Sequence, residues 1–321
     1  FTPNDISKQM ASYLLNKGTL LEPSVGEGDL LKHVKLDNYK QIDIYDIKQS
    51  YLDKCITGKN IKKYNKDFLK KKINKKYDNI ILNPPYIKFQ DLSIAYRDYL
   101  KKTDILAKGN VDIYYAFIIK CLELLSDDGI MVCITPNSFL YNKSAQSLRH
   151  FLFNNYYVDE IIDFGTRKIF KKVSVYCCIT IFTKKKKEYL TYNNEKKYYK
   201  DIIKNDCNIF FDKKESTKKL KEICCIKNGI ATLRDKIYIH DKKLFKEPCW
   251  KKIMKYDSKK YIIYPYHSDG KIIKEESFKK NNPKTYEYLC ENKDELSKRD
   301  KGNKKYEEWY AFGRRQSLIL V

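Results

Sequence analysis

Four consecutive residues, Asn83-Pro84-Pro85-Tyr86, place a side-chain amide, two rigid imides and an aromatic ring at the end of the apolar run Tyr77 to Leu82. Prolines fix φ near about −65° and contribute no N–H, so the carbonyls beside them can accept hydrogen bonds from something other than the protein. Asn83 adds a side-chain acceptor and Tyr86 a flat face. An exocyclic amine on a heteroaromatic ring offers two N–H donors and a π surface, the complement of that set. The tetrapeptide points to a planar amine as substrate.

A second constellation lies upstream. Leu21-Glu22-Pro23-Ser24-Val25-Gly26-Glu27-Gly28-Asp29 reads as a strand end, a turn with two glycines and a helix start. Two glycines would also suit a tight turn without a ligand. A phosphate cradle wants a third glycine or Gly-Lys-Ser/Thr, however, and the acids Glu22, Glu27 and Asp29 would repel a pyrophosphate. An acidic loop suits a cation, such as a sulfonium carrying an α-amino group. Asp46 follows the next strand, where an acid accepts hydrogen bonds from ribose hydroxyls, with Asp43 as the competing choice. Asp67-Phe68 sets an acceptor beside an aromatic, as an adenine requires, although Asp67 alone also fits a solvent-facing loop acid.

Strand-like runs at Leu20–Glu22, Gln41–Tyr45, Asn79–Leu82, Ile130–Thr135, Val158–Phe164 and Val173–Phe182 position these residues. Helical periodicity fills the gaps, with Asp5–Leu15 capped by Asn4 and Ala116–Leu125 ending near Asp128-Gly129. Continuous apolar strands alternating with helices predict an α/β fold, a doubly wound parallel sheet covered on both faces. Its ligands would sit at the carboxyl ends of the strands. The reading divides the chain into residues 1–187 as catalytic domain, 188–214 as a linker or crossover, and 215–321 as a separate α+β domain. Within the last, Lys236–Ile239 and Tyr261–Tyr264 read as strands.

Formal net charge is +24 over 321 residues. Residues 1–182 hold 28 Lys+Arg against 20 Asp+Glu, and the remainder 37 against 21, so the C-terminal part is the better polyanion contact. A lysine-, asparagine- and tyrosine-rich composition also fits an AT-rich genome. Ten cysteines include the pairs Cys177-Cys178 and Cys224-Cys225 but no C-x-x-C, and read as core residues of a reducing cytoplasm. His33, His150, His240 and His267 are isolated, and no metal site is expected. No run approaches the roughly 18 apolar residues of a membrane span. The start at Phe1 and the apolar end Leu318–Val321 suggest a native chain longer at both ends.

Together these motifs resemble the S-adenosylmethionine-dependent N6-adenine DNA methyltransferases of the gamma, TaqI-like order, which occur in restriction-modification systems. The resemblance implies a Rossmann-like methyltransferase sheet followed by a target-recognition domain, here incomplete, since family target domains usually run further. It assigns Phe1-Thr2-Pro3, Glu22, Gly26, Gly28, Asp46, Asp67, Phe68, Asn83 and Phe117 to cofactor binding, the last within Asp112–Phe117. Asn83, Pro84 and Tyr86 would hold the adenine amine. Phe170, in Ile169–Val175, would pack on the base once it is turned out of the duplex. Stacking returns about 1–3 kcal/mol per base, and no general base is obligatory. In the second half, Lys227–Lys236, Tyr264-Pro265-Tyr266 and Trp309–Arg314 resemble the target domain. Arg234, Lys236, Arg314 and Arg315, with His267, are candidate contacts to double-stranded DNA, although each could be an ordinary surface charge.

Rival readings use the same tetrapeptide on a protein glutamine or an RNA base, or treat the fold as a vestigial DNA-reading subunit. Another makes the chain the methyltransferase part of a bifunctional restriction enzyme, or the partner of a cognate endonuclease. Asp269-Gly270-Lys271 with Glu275-Glu276 reads as a turn and helix start rather than a nuclease cluster.

Overall fold

The predicted apolar runs Leu20–Glu22 and Asn79–Leu82 become strands whose alternate residues enter opposite cores. Leu20 and Ile81 face one core while Leu21 and Ile80 face the other, and all four are fully buried. The structure is a computed structural model describing residues 2–102, 112–170, 175–210, 220–224, 229–253, 259–302, 305–314 and 318. It divides into two compact units, Phe1–Glu215 and Ser216–Val321.

In the first unit the strands are β1 (Thr19–Glu22), β2 (Gln41–Asp46), β3 (Ile61–Asn65), β4 (Tyr77–Leu82), β5 (Leu125–Pro136), β6 (Val158–Lys168), β7 (Tyr176–Thr183), β8 (Tyr189–Tyr192) and β9 (Glu195–Tyr198). They form one sheet in the order β3-β2-β1-β4-β5-β7-β6-β8-β9. Helices α1 (Asn4–Ser12), α2 (Gln49–Lys54), α3 (Ile94–Lys101), α4 (Ile113–Leu124), α5 (Gln146–Asn154) and α6 (Tyr199–Lys204) accompany it. β1 is parallel to both β2 and β4, so the carboxyl ends of the three strands lie together. The chain leaves β1 for β2 on one side and later enters β4 on the other, which opens the crevice used by such sheets for ligands.

Four expectations change. The sheet is not wholly parallel, because β7 runs antiparallel between β5 and β6. The few residues between Lys168 and Tyr176 are too short for a parallel crossover, which needs a dozen or more. Of residues 188–214, expected as a linker, the described part, 188–210, instead supplies β8, β9 and α6, and 211–214 lie outside the described residues. Leu190, Tyr199 and Ile202 join the core of the sheet, and the Tyr199 hydroxyl donates to the Val158 carbonyl at 2.5 Å. α4 stops at Leu124 and runs directly into β5, whose register shifts around Ser126–Gly129. Finally, Pro3 rather than Asn4 flanks the start of α1, and the Asn4 side chain meets His33 Nε2 at 2.7 Å.

The second unit contains α7 (Leu220–Ile223), α8 (Asp235–Tyr238), β10 (Ile239–His240), β11 (Trp250–Lys252), β12 (Tyr261–Ile263), α9 (Glu275–Asn281), α10 (Pro283–Glu291) and α11 (Lys293–Ser297). Its strands pair antiparallel in the order β10-β12-β11. Lys236–Ile239, expected as a strand, is mostly the helical turn α8. Thr232 Oγ1 donates to Asp235 and accepts from the Arg234 N–H at 3.0 Å, which favours a turn over an extended chain. Three motifs distant in sequence converge on Phe312. Its ring lies 5.0 Å from Tyr238, 6.0 Å from Tyr264 and 5.0 Å from Tyr266, and its N–H donates to the Tyr266 hydroxyl. Glu275 accepts from Tyr286 and Trp309, so it serves the packing of this unit. Among the described residues no helix is long and apolar enough to cross a membrane, and no group of three His, Cys, Asp or Glu could hold a metal.

Candidate active site

β4 delivers Asn83 to the crevice. Its Nδ2 donates to Thr2 Oγ1 at 3.0 Å, and its backbone carbonyl accepts from Ser24 Oγ at 3.2 Å. The Thr2 N–H in turn donates to Asp29 Oδ2 at 3.2 Å. Segments from before α1, after β1 and after β4 are thereby tied together. Among the described residues, Asn83 Oδ1 and the Pro84 carbonyl accept no hydrogen bond, leaving two acceptors for a ligand. Pro3, at the α1 start, accepts the Ser7 N–H through its carbonyl and so fixes the segment that carries Thr2.

Tyr86 is held at its far end, its hydroxyl donating to the Ile134 carbonyl at 3.0 Å. Burial, and then the neighbouring Cys177, Cys133 and Cys178, push its phenol well above the usual tyrosine range. It stays neutral. Its ring meets Phe170 edge to face, with centroids 6.3 Å apart and planes at 71°, and meets Tyr114 likewise at 6.2 Å. Tyr86 and Phe170, which the resemblance sets against the amine and the base, here meet each other in the geometry aromatic quadrupoles favour. Phe170 is 8% exposed.

The glycine loop lines a cavity of about 240 Å³, together with Thr2, Glu22, Asp29, Tyr51 and Asn83. Gly28 has φ +81°, and a Cβ there would lie 2.7 Å from Cys55 Sγ, so both backbone and space demand glycine. Gly26 has φ +53° and nothing within 4 Å of an added Cβ. Its N–H donates to Asp46 Oδ2 at 3.0 Å. Glu22 is 1% exposed and its Oε2 has no hydrogen-bond partner among the described residues. Burial, and behind it Asp29 and Asp46, hold this carboxyl well above the usual carboxylate range. A buried, unmatched acceptor among acids favours a cationic donor.

The two acids of β2 differ in burial and in partners. Asp43 is fully buried and accepts from the Tyr77 hydroxyl at 2.5 Å, from Gln41 Nε2 at 2.6 Å and from Lys75. Asp46 stands at the strand end, bonded to the N–H groups of Gly26 and Lys48. Asp67, Phe68 and Phe117 do not line the cavity. Asp67 accepts from the Tyr96 hydroxyl at 3.1 Å and the Leu69 N–H at 3.0 Å. Phe68 stacks on Phe117 at 5.5 Å and touches Tyr45, both rings being buried. Tyr51 and Ser24 were not singled out from sequence, and neither was Ile47, which directly follows Asp46 and is 71% exposed. An exposed isoleucine beside a strand-end acid carries no sequence periodicity to mark it.

In the second unit the structure separates the basic candidates. Arg314 is paired with Asp300 at 2.8 Å. Arg234 is held by backbone carbonyls and Lys236 is exposed. His267 is also exposed, whereas Arg315 lies outside the described residues, as do Lys227 and Asn228.

The profile of the Eco57I restriction-modification methylases matches residues 8–170, from α1 through both glycines and the Asn83–Tyr86 loop to Phe170. The chain belongs to that family. This Eco57I-family chain is 33% identical over 179 residues to the Type II methyltransferase M.HincII of Haemophilus influenzae, covering 54% of this chain and 34% of that protein. It is 23% identical over 312 residues to the Type II restriction enzyme and methyltransferase RM.Eco57I of Escherichia coli, covering 76% of this chain and 31% of that protein. The chain thus spans about a third of the length of the curated relatives it matches. A type I restriction-modification methyltransferase subunit from Streptococcus thermophilus shares the fold, with a TM-score of 0.53, 18% identity and coverage of 65% of this chain and 58% of that chain. The Eco57I-family chain therefore has a Rossmann-like methyltransferase sheet.

Proposed function

We propose that the first unit is the catalytic domain of a site-specific DNA methyltransferase that modifies N6 of an adenine turned out of the duplex, and that the second unit contacts the DNA. The observation that carries this is Asn83. It lines the acidic cavity while keeping Oδ1, with the adjacent Pro84 carbonyl, free for an incoming amine. S-adenosylmethionine fits the cavity's donor set, and when bound it supplies an electrophilic methyl on a sulfonium. The Glu22 carboxylate would accept its ammonium. Asp46, already aligned by two backbone N–H groups, would accept ribose hydroxyls, with Ile47 offering apolar surface to the adenine edge. Asp67 keeps lone pairs that would accept from an adenine amino group, and the buried Phe68–Phe117 stack beside it would back that contact.

The nitrogen lone pair of an adenine amine is delocalised into its ring. Asn83 Oδ1 and the Pro84 carbonyl, accepting its two hydrogens, would orient the nitrogen for in-line attack, a contribution of positioning rather than proton transfer. Tyr86, kept neutral by burial, offers its ring for stacking and not its oxygen as a base. Phe170, whose ring is set at 71° to that of Tyr86, would pack beside the extruded base after a rotamer change. The positive charge left on nitrogen makes its proton acidic enough to leave to water. Relatives that combine restriction and methylation by name, such as RM.Eco57I, support a nuclease domain or cognate endonuclease as partner.

Purified full-length protein, incubated with DNA and S-adenosylmethionine, should yield N6-methyldeoxyadenosine in nucleoside digests analysed by mass spectrometry. Asn83→Ala should lower turnover at least a hundredfold while leaving cofactor affinity within a fewfold. Methylcytosine as product, or near-normal turnover without the Asn83 amide, would overturn the proposal.

A further inference from the structure

The loop Ile230–Arg234 and α8 border a cavity of about 740 Å³ in the second unit, completed by Asn292 and Glu295 from the α10–α11 region. Arg234 projects there as a braced side chain. Its Nε donates to the Glu295 carbonyl at 2.8 Å and its NH1 to the Leu233 carbonyl at 2.9 Å. Both acceptors are neutral backbone groups, so the guanidinium is oriented without its charge being cancelled. The nearby acids are turned elsewhere, Asp235 to the Thr232 hydroxyl and Glu295 to Lys298. Among the described residues NH2 and one N–H of NH1 have no acceptor.

The loop itself is rigidly set. Leu233 has φ +61°, and its side chain fills the place where a Cβ on Gly313 would sit, 2.2 Å from Leu233 Cγ. The N–H groups of Gly313 and Arg314 donate to the carbonyls of Thr232 and Ala231 at 3.0 and 3.1 Å. This fixed backbone holds a fork whose outer N–H groups remain unused. Arg314 differs, since Asp300 accepts from its NH1 through both oxygens.

Resting on the reading of the second unit as the DNA contact, we infer that Arg234 is a specificity-determining residue that reads the O6/N7 edge of one guanine in the recognised sequence. A planar fork with two outward N–H groups matches that pair of acceptors bidentately. A phosphate contact does not need a side chain whose orientation is fixed by two carbonyls, because a mobile lysine serves it as well. Lys236, exposed on the same cavity and in no ion pair among the described residues, supplies such charge.

The test uses the full-length protein. Single-molecule sequencing of DNA from expressing cells first gives the wild-type site. Duplexes in which each guanine of that site is replaced in turn by 7-deazaguanine, which lacks the N7 acceptor, are then assayed for binding and methylation by wild-type protein and by Arg234→Ala, which has no donor to offer that edge. One guanine position should show a loss of roughly 5- to 150-fold with wild-type protein. Arg234→Ala should be insensitive at that position only, and its cellular methylation pattern should relax there to other bases. Sensitivity at no position, or the same sensitivity in both proteins, overturns the inference while leaving the methyltransferase reading intact. So does an unchanged pattern with uniformly weaker, less salt-dependent binding, which marks a phosphate contact. Absence of any methylated site with wild-type protein overturns the functional reading and this inference together.

Discussion

Replacing Glu22 by Gln should separate the stability of the first unit from its ligand affinity, in opposite directions. The carboxyl is 1% exposed, Oε2 is unmatched among the described residues, and burial with Asp29 and Asp46 holds its pKa above the ordinary 4.5. A carboxyl whose pKa is raised on folding contributes stability that is complete below its unfolded value and lost as pH climbs through the folded one. Ligand-free wild type should therefore weaken as pH rises above the ordinary carboxylate range. The Glu22→Gln protein should not share that slope. An unsatisfied buried acceptor costs about 1–3 kcal/mol, and the new amide can donate toward Asp29 or Asp46. At mildly alkaline pH the variant should gain that amount, with Tm rising by about 2–4 °C per kcal/mol for a unit of this size. Affinity for S-adenosylmethionine should fall, because a charge-assisted hydrogen bond of about 1.5–3 kcal/mol is lost, roughly tenfold to 150-fold. Thermal unfolding across pH and isothermal calorimetry read the two effects. A Glu22→Gln protein less stable than wild type at alkaline pH, or equal to it in cofactor affinity, would refute the reasoning.

The two acids of β2 should behave as different kinds of residue. Asp43→Ala strands the Tyr77 hydroxyl, Gln41 and Lys75 in or beside the core and should cost at least about 3 kcal/mol by urea unfolding. Asp46→Ala should fold nearly normally and lose cofactor affinity by calorimetry. Gly28→Ala meets both φ +81° and Cys55 Sγ at 2.7 Å. It should destabilise by about 1–2 kcal/mol from the backbone alone, and adding Cys55→Ala should recover only the contact part, as compared by urea midpoints.

Much of the site was legible because it is assembled from local chemistry. The Asn-Pro-Pro-Tyr turn, the acidic glycine loop and the strand-end acid each announce themselves by residue type, and parallel strands gather them without further information. What sequence did not carry was occupancy. Whether Asp43 or Asp46 is available depends on Tyr77 and Lys75, far along the chain. That Phe68 stacks on Phe117, or that Tyr86 and Phe170 meet edge to face, follows from packing that residue order does not encode. Buried strands were readable as continuous apolar runs, whereas β3, β8 and β9 were not, since β3 and β9 carry paired lysines, β8 is Tyr-Leu-Thr-Tyr, and only one of their positions, Leu190, is buried. The stretch Lys236–Ile239 misled by β-propensity, overruled by the Thr232 turn that starts α8.

Those unreadable strands include both rims of the nine-stranded sheet, β3 at one side and β9 at the other. An open sheet ends in a row of unsatisfied N–H and C=O groups able to pair with any passing strand. Lys62 stands exposed on one rim and Lys196 on the other. Two copies approaching rim to rim would press like charges together before any ladder could form. Lysine on both rims thus places part of the chain's +24 where it opposes pairing between copies.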